Sequence, residues 1–385
     1  MANLKILQVC GASEGGSWFI DQVTALVARG YEVVVVTPGA GSVSRRLRAQ
    51  GLTVHEIPFR GYRPTSLPTV LRAVREIRRI SRSGGFDLVH AHLLKASVVC
   101  RVALRGQGPR LVSQAPSIMH LENRWLRWID RLTMRWDGLL LASCTEFAKR
   151  YRELGARKTA VSFYGCDTSQ LDPEASGDPF RTECGLPDGT TAVGMIAHMY
   201  PTRMRAFAAV GVKGHETFID AARKVAAIRD DVRFFVVGDE FAGDGSYRTA
   251  LELRASDLVA QGLLSFLGHR SDIQTVLAGM DILVNPSLSE SASYTMIEAS
   301  LMRRPVVATA VGGLLDTVRH EETGLLVPPA DPGALAAAID RLVGDPGLRD
   351  RLGSAGRMHV EALFNLTATV DSVEAAYAIA LGGPR

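Results

Sequence analysis

Short runs of β-branched and apolar residues alternate with longer stretches of helical periodicity from the start of the chain. In the first half, the runs predicted as strands cover residues 6–10, 32–37, 53–57, 88–91, 111–114, 139–143 and 160–163. Strands that alternate with helices form a parallel sheet covered by helices on both faces. The first half is therefore predicted to be a doubly wound α/β domain.

The pattern stops between residues 164 and 190, where glycine, proline and aspartate are frequent, and this stretch is predicted to link two domains. A second series of strands is predicted at 192–197, 232–237, 263–267, 282–285, 305–308 and 325–327, and an alanine-rich helical pattern follows from 331. We therefore expect an N-terminal domain over 1–170, a second doubly wound domain over 190–360 and a C-terminal helical segment over 361–385.

Composition limits the class of protein. A chain of 385 residues with 46% hydrophobic and 22% charged residues is typical of a folded protein with two domains. A net charge of +4 gives no reason to expect a nucleic-acid partner. The first ten residues lack the features of a signal peptide, and no apolar run is long enough to span a membrane. A cytoplasmic location is expected.

Two glutamates flank the start of a predicted helix after the strand at 282–285. Backbone NH groups at a helix start bind phosphate well, so Tyr294 and Thr295 are predicted to contact a diphosphate. Glu298 lies one turn further along and can accept hydrogen bonds from a ribose diol. Glu290, in the preceding loop, can accept them from sugar hydroxyls.

Two further motifs suit an anionic ligand. Lys213 precedes Gly214 and an amphipathic helix, and its ammonium group can place charge on a leaving diphosphate. Gly15 and Gly16 follow the first strand and allow a ligand to approach the backbone closely. This turn is not the glycine fingerprint of dinucleotide-binding proteins, and no acidic residue ends the second strand. A nicotinamide-dependent enzyme is therefore not expected.

The Glu-x7-Glu spacing, with Lys213-Gly214 and the pair Gly312-Gly313, resembles the signature of retaining glycosyltransferases of family GT4 over nearly the whole chain. The resemblance implies the GT-B fold, in which two Rossmann-like domains face each other across a cleft and the last helix crosses back to the first domain. It also implies sugar transfer from a nucleotide diphosphate sugar, UDP-linked hexose or N-acetylhexosamine, to a hydroxyl of a small-molecule, glycan or lipid-linked acceptor.

The resemblance assigns donor-side roles to residues with less specific motifs. It implies that Gly15 and Gly16 approach the donor sugar and diphosphate. The family's arginine after the first strand of the second domain is missing here, and Arg203, Arg205 or His198 is predicted to replace it. Residues 291–293 read Ser-Ala-Ser where the family has glycine and a Phe-Gly pair, so the donor preference does not follow from this loop.

On the acceptor side, His120 is predicted as a catalytic residue together with Lys213 and Glu290, and His92 and His198 are candidates for lining the cleft. The resemblance implies a front-face reaction in which the departing diphosphate helps to accept the acceptor proton. No Asp-x-Asp motif follows a strand, so neither a divalent metal nor another cofactor is expected.

Two alternatives use the same architecture. A nucleotide-sugar epimerase would need a further acid and base, and the Glu290/Glu298 spacing with Lys213-Gly214 argues against it. Many family members have a histidine after the strand at 111–114, where this chain reads Gln114-Ala115-Pro116. A non-catalytic GT-B binding subunit would explain this departure and those at 291–293.

The stretch 123–136 has four arginines on one helical stripe and tryptophan, leucine and isoleucine on another. One interpretation is a packed helix with a solvated basic face. The other is an interfacial helix in peripheral contact with the inner face of a membrane, and residues 72–82 form a second basic stretch.

Overall fold

The structure is a computed structural model that describes residues 4–59, 67–106, 108–240 and 243–382, and for Arg203 it describes the backbone only. The chain forms two compact units. The first contains Met1–Cys166 together with Leu363–Arg385, and the second contains Asp167–Ala362.

The first unit is built on a seven-stranded parallel sheet with strand order β3-β2-β1-β4-β5-β6-β7. Its strands are β1 (Lys5–Cys10), β2 (Glu32–Thr37), β3 (Thr53–Glu56), β4 (Leu88–His92), β5 (Arg110–Ala115), β6 (Leu139–Ala142) and β7 (Thr159–Val161). The helices are α1 (Ser17–Ala28), α2 (Ser42–Ala49), α3 (Leu67–Ser83), α4 (Leu94–Leu104), α5 (Arg124–Thr133), α6 (Thr145–Glu153) and, from the C-terminus, α16 (Leu366–Leu381).

The second unit has a six-stranded parallel sheet with order β12-β11-β8-β13-β14-β15 and a small antiparallel pair, β9-β10. Its strands are β8 (Thr191–Ile196), β9 (Arg203–Met204), β10 (Phe207–Gly211), β11 (Val232–Val237), β12 (Leu264–Gly268), β13 (Ile282–Asn285), β14 (Val306–Thr309) and β15 (Leu325–Val327). The helices are α7 (Asp178–Glu183), α8 (His215–Ala226), α9 (Ser246–Arg254), α10 (Ser256–Ala260), α11 (Ile273–Gly279), α12 (Tyr294–Leu301), α13 (Leu314–Thr317), α14 (Pro332–Gly344) and α15 (Pro346–Leu363).

Each sheet is covered on both faces, which is why its strands are apolar at consecutive positions. Ile6 and Leu7 of β1 point to opposite faces, and each belongs to a separate buried cluster of the first unit. Two Rossmann-like α/β domains were predicted from the strand pattern, and the parallel sheets confirm this prediction.

Helix α16 packs on the first unit and closes one of its cores. Val370 and Val373 are buried in the same cluster as Ile6. The Tyr377 hydroxyl accepts a hydrogen bond from Gln8 Nε2 at 3.0 Å and lies 2.8 Å from His90 Nδ1. The predicted return of the last helix to the first domain is therefore confirmed.

The structure differs from the predicted linker at 164–190. This stretch contains helix α7, whose Phe180 is fully buried among apolar residues of the second unit, including Val276 and Met280. Arg181 donates hydrogen bonds to Asp281 and to the Thr190 carbonyl. Because turn residues are frequent in this stretch, the short buried helix was not predicted. Residues 167–190 pack as part of the second unit.

Candidate active site

Three loops of the second unit meet at the carboxyl edge of its sheet. Strands β8, β13 and β14 are neighbours, so the segments that follow them emerge side by side. The Leu288 amide donates to the Val212 carbonyl at 2.8 Å, and the Gly313 amide donates to the Glu290 carbonyl at 2.9 Å. Gly312 has a φ of +53°, and a Cβ there would collide with the Glu290 carbonyl, so this close approach requires glycine.

Lys213 and Glu290 form an ion pair at this edge. Lys213 Nζ lies 2.5 Å from Glu290 Oε2, and the two side chains are 23% and 10% exposed. The Ser291 amide donates to Glu290 Oε1 at 3.2 Å. Two residues that are 77 positions apart and were predicted to serve one site are thus in direct contact.

Helix α12 starts beside this ion pair. Ser293 is its N-cap residue, yet its hydroxyl accepts from Asn285 Nδ2 at 2.9 Å and makes no cap hydrogen bond to the helix. Tyr294 and Thr295 form the first turn of α12, where the positive end of the helix dipole stabilises an anion.

Glu298 lies one turn into α12 and is half-buried. No donor within the described part of the chain hydrogen-bonds to its carboxylate. Burial raises its pKa above the ordinary value. A buried carboxylate of this kind can accept hydrogen bonds from a ligand.

Beside the predicted His198, the same edge carries His269 and Tyr200, which the sequence had not singled out. The exposed His198, after β8, lies parallel to His269, with ring centroids 6.5 Å apart and an interplanar angle of 3°. Tyr200 is 6.1 Å from His198. His269 could have been noticed because it directly follows the strand ending at Gly268, but a single histidine after a strand is a weak signal.

Of the predicted replacements for the family arginine, His198 lies at the edge just described. Arg205 is exposed in the turn between β9 and β10, and the side chain of Arg203 lies outside the described residues. The sequence pattern predicted no strand between residues 197 and 232, where this hairpin lies. Gly211, its last residue, packs against the Tyr247 hydroxyl, which also donates to the buried Glu216.

The glycine turn of the first unit is held in a defined shape. Gly15 and Gly16 both have a φ of +67°, and Gly16 is the N-cap residue of α1. The Gly15 amide donates to Ser42 Oγ at 3.1 Å, and the Ser42 amide donates to Glu14 Oε2 at 3.0 Å. The positive φ values explain why glycine occupies both positions.

The prediction that His92 lines a cleft is wrong. Strand β4 lies between β1 and β5, where both faces of the sheet are covered, and His92 is fully buried. Its Nε2 is 2.8 Å from Gln8 Oε1, and its ring packs against Phe19. Burial lowers its pKa well below the ordinary value, so it is a neutral residue of the core.

His120 occupies a short 3-10 helix, Met119–Glu122, that follows β5, and its side chain is 12% exposed. Its Nε2 lies 2.8 Å from Asp130 Oδ2 and 3.2 Å from the Tyr151 hydroxyl. Asp130 also accepts from the buried Arg101 at 2.6 Å. The predicted acceptor-side histidine is therefore oriented by a charged network that the sequence did not reveal.

The described residues contain no group of three or more histidine, cysteine, aspartate or glutamate side chains placed to hold a metal ion. Among the helices in these same ranges, none combines the length and apolar character needed to cross a membrane.

Comparison with known proteins gives matches in both units. Residues 19–166 match the model of the glycosyl transferase 4-like domain, and residues 203–345 match that of glycosyl transferases group 1. D-inositol 3-phosphate glycosyltransferase of Salinispora arenicola is 29% identical over 366 residues, which cover 87% of this chain and 77% of the relative. The Mycobacterium tuberculosis enzyme of the same name is 28% identical over 401 residues, covering 95% and 78%.

Solved structures share the fold over almost the entire chain. Anabaena HepE in complex with UDP is 22% identical, with a TM-score of 0.81, and the match covers 97% of this chain and 100% of that one. A glycosyltransferase from Rickettsia africae is 20% identical, with a TM-score of 0.82 and coverage of 99% and 100%. With these matches in both units, the chain belongs to the GT4-type glycosyltransferases of the GT-B fold.

Proposed function

We propose that the protein is a retaining glycosyltransferase that moves a hexose or N-acetylhexosamine from a UDP-linked donor to a hydroxyl of a small-molecule, glycan or lipid-linked acceptor. The observation that carries the proposal is the contact between Lys213 and Glu290 beside the start of α12, with Glu298 one turn away. The relatives named D-inositol 3-phosphate glycosyltransferase and the HepE structures with UDP and UDP-glucose support the donor and the acceptor class.

In this proposal the donor diphosphate lies against the first turn of α12. The Lys213 ammonium group has three N–H donors, of which one is directed at Glu290 and the others remain for phosphate oxygens. Glu298 accepts hydrogen bonds from the ribose diol, and Glu290 accepts them from sugar hydroxyls.

The proposed transfer is a front-face substitution. The acceptor oxygen bonds to the anomeric carbon while the bond from that carbon to the diphosphate breaks, and a diphosphate oxygen takes the acceptor proton. Amide dipoles and Lys213 stabilise the negative charge that develops on the leaving group. Glu290 is not the nucleophile in this scheme, because its carboxylate is held by Lys213. His120, oriented by Asp130, serves the acceptor side.

Product analysis tests the function. The protein is incubated with UDP-glucose, UDP-galactose, UDP-N-acetylglucosamine and their GDP and ADP counterparts, with D-inositol 3-phosphate as the first acceptor. We expect a glycoside whose anomeric configuration, read by NMR, is that of the donor. An inverted product would contradict retention, an epimerised donor would indicate an epimerase, and binding without turnover would indicate a non-catalytic subunit.

Glu298→Gln is expected to weaken UDP binding and to leave the fold at least as stable. Loss of a charged acceptor costs about 1–3 kcal/mol of binding free energy. The carboxylate's pKa is raised in the folded state, so the folded protein binds that proton more tightly than the unfolded chain. Its ionised form therefore disfavours folding as the pH rises through this pKa. Glutamine removes that cost at neutral pH.

Calorimetric titration with UDP and urea unfolding at neutral and acidic pH measure both effects. Glu153→Gln, at an exposed position of α6, is the matched control and should change neither quantity. Unchanged UDP affinity in Glu298→Gln would contradict the ribose role.

Exhaustive treatment with EDTA is expected to leave the transfer rate unchanged, because the proposed leaving-group charge is neutralised by Lys213 and amide dipoles. Initial rates with and without chelator are compared at saturating donor. A complete loss that Mg²⁺ or Mn²⁺ restores would show that a metal takes part.

A further inference from the structure

Helix α5 carries two tryptophans that the fold leaves in solvent. Trp125 is 76% exposed and Trp128 is 57% exposed, and Leu132, one turn further, is 37% exposed. Spacings of three and four residues place all three on one edge of the helix. A depression of about 380 Å³ lies against Arg124, Trp125 and Trp128.

The opposite face of α5 sets this orientation. Asp130 is 1% exposed and accepts hydrogen bonds from Arg101 and the Tyr151 hydroxyl, and Thr133 is buried beside it. A carboxylate fixed in this way determines how the helix is rotated about its axis. The tryptophans are therefore held outward by the core of the first unit.

Next to the apolar edge runs a basic edge formed by Arg124, Arg127 and Arg131, all exposed. None of the three forms an ion pair with any side chain that the structure describes. Immediately after α5, Arg135 lines a second depression of about 430 Å³ together with three other exposed arginines, Arg105, Arg110 and Arg157. Helix α5 and the segment that follows it thus present a concentrated positive charge.

We propose that α5 docks the protein on the surface of a bilayer that contains anionic lipids. Tryptophan prefers the boundary between headgroups and acyl chains, where its ring is buried and its N–H remains hydrated. Exposed arginines on the adjacent edge meet the lipid phosphates. This docking goes beyond sugar transfer and does not depend on the identity of the donor or the acceptor.

Two other assignments fit less well. In α3, the other basic helix, Arg78 donates to main-chain carbonyls and Arg79 pairs with Glu76, so fewer charges are available there. If two copies of the protein associated through α5, the three arginines of each copy would face one another, and juxtaposed like charges disfavour such an interface.

The test uses the full chain and vesicles of phosphatidylcholine with and without phosphatidylglycerol. We expect sedimentation with the anionic vesicles only, weakening as salt is added, and a blue shift of tryptophan emission on binding. Trp125→Ala/Trp128→Ala and Arg127→Ala/Arg131→Ala should each lower partitioning by about tenfold or more.

Two matched variants control for loss of exposed apolar area and of charge elsewhere. Leu253→Ala/Met358→Ala removes side chains that are 74% and 67% exposed in the second unit, and Arg152→Ala/Arg351→Ala removes two exposed charges. Both should bind vesicles like the parent protein, and circular dichroism confirms that every variant is folded.

Absence of binding to anionic vesicles, or equal binding by the tryptophan variant, would overturn the proposal. Sedimentation velocity without lipid tests whether two copies of the protein associate through α5. A parent protein that self-associates, with a tryptophan variant that is monomeric, would assign the surface to contact between copies instead.

Discussion

Lys213→Ala is expected to lower kcat by about 10²–10³-fold while changing the donor KM much less. The negative charge on the departing diphosphate grows towards the transition state, so the ammonium group stabilises that state more than the bound donor. Steady-state kinetics over a range of donor concentrations separate the two parameters.

The contact with Glu290 makes a control necessary. The Glu290 side chain is only 10% exposed, and removing Lys213 leaves its carboxylate without a cation. Lys213→Ala/Glu290→Gln removes both charges, and we expect a stable fold with kcat still low. Lys224→Ala, at an exposed position of the following helix α8, removes the same charge and should leave kcat unchanged. A change confined to KM would show that Lys213 binds donor and transition state equally.

The fold was largely predictable because both sheets are parallel and covered on both faces. Each strand must then be apolar at consecutive positions, as at residues 33–36 of β2 and 234–237 of β11, and such runs stand out between helices. Helix α7 was missed for the complementary reason. A helix of six residues with one fully buried side chain, Phe180, gives no periodic signal.

The donor side of the site was predictable because its residues lie at the ends of strands and the start of a helix. Neighbouring parallel strands bring such positions together whatever their separation in sequence, and this accounts for the contact between Lys213 and Glu290. His92 also ends a strand, yet it is buried. Its place in the middle of the sheet, which decides its exposure, depends on the strand order, and the pattern along the chain does not give that order.

The charged network of the first unit could not be predicted for a related reason. Arg101 lies in α4, whereas its partners Asp130 and Asp137 lie 29 and 36 residues later, in α5 and shortly before β6. In the sequence it is one arginine among many, and nothing separates a buried arginine from a solvated one until its carboxylates are located.

Arg101→Ala is expected to lower the free energy of unfolding of the first unit by about 3–5 kcal/mol at neutral pH. The Arg101 side chain is 2% exposed and binds Asp137 through two nitrogens, at 2.9 Å and 2.7 Å, and Asp130 through a third. Removing it leaves two buried carboxylates without their cation. All four tryptophans of the chain lie in the first unit, so urea unfolding followed by tryptophan emission reports on this unit.

The pH dependence distinguishes this cause from a simple loss of packing. In the parent protein, burial alone would raise the pKa of Asp130, but the hydrogen bond with His120 and the charge of Arg101 outweigh it and hold the pKa below the ordinary value. That contribution to stability is present at neutral pH and is lost as the pH falls through the lowered pKa. In the parent, the pKa of Asp137 is already above its ordinary value, because burial outweighs the charge of Arg101. Removing Arg101 is expected to raise the pKa of Asp130 above its ordinary value and that of Asp137 further. The folded variant should then bind protons more tightly than its unfolded chain and gain stability on acidification.

The trends from Asp130 are opposite, and the trend from Asp137 is steeper in the variant than in the parent. The difference in the free energy of unfolding between parent and variant should therefore be largest near neutral pH and should shrink towards about pH 5 and below. Arg152→Ala, on the exposed surface of α6, should differ from the parent by less than about 0.5 kcal/mol at every pH. If the free energy of unfolding of Arg101→Ala is lower than that of the parent by the same amount at every pH, the loss comes from a cavity. A deficit below about 1 kcal/mol would contradict the role of Arg101 in holding Asp130, and with it the orientation of His120.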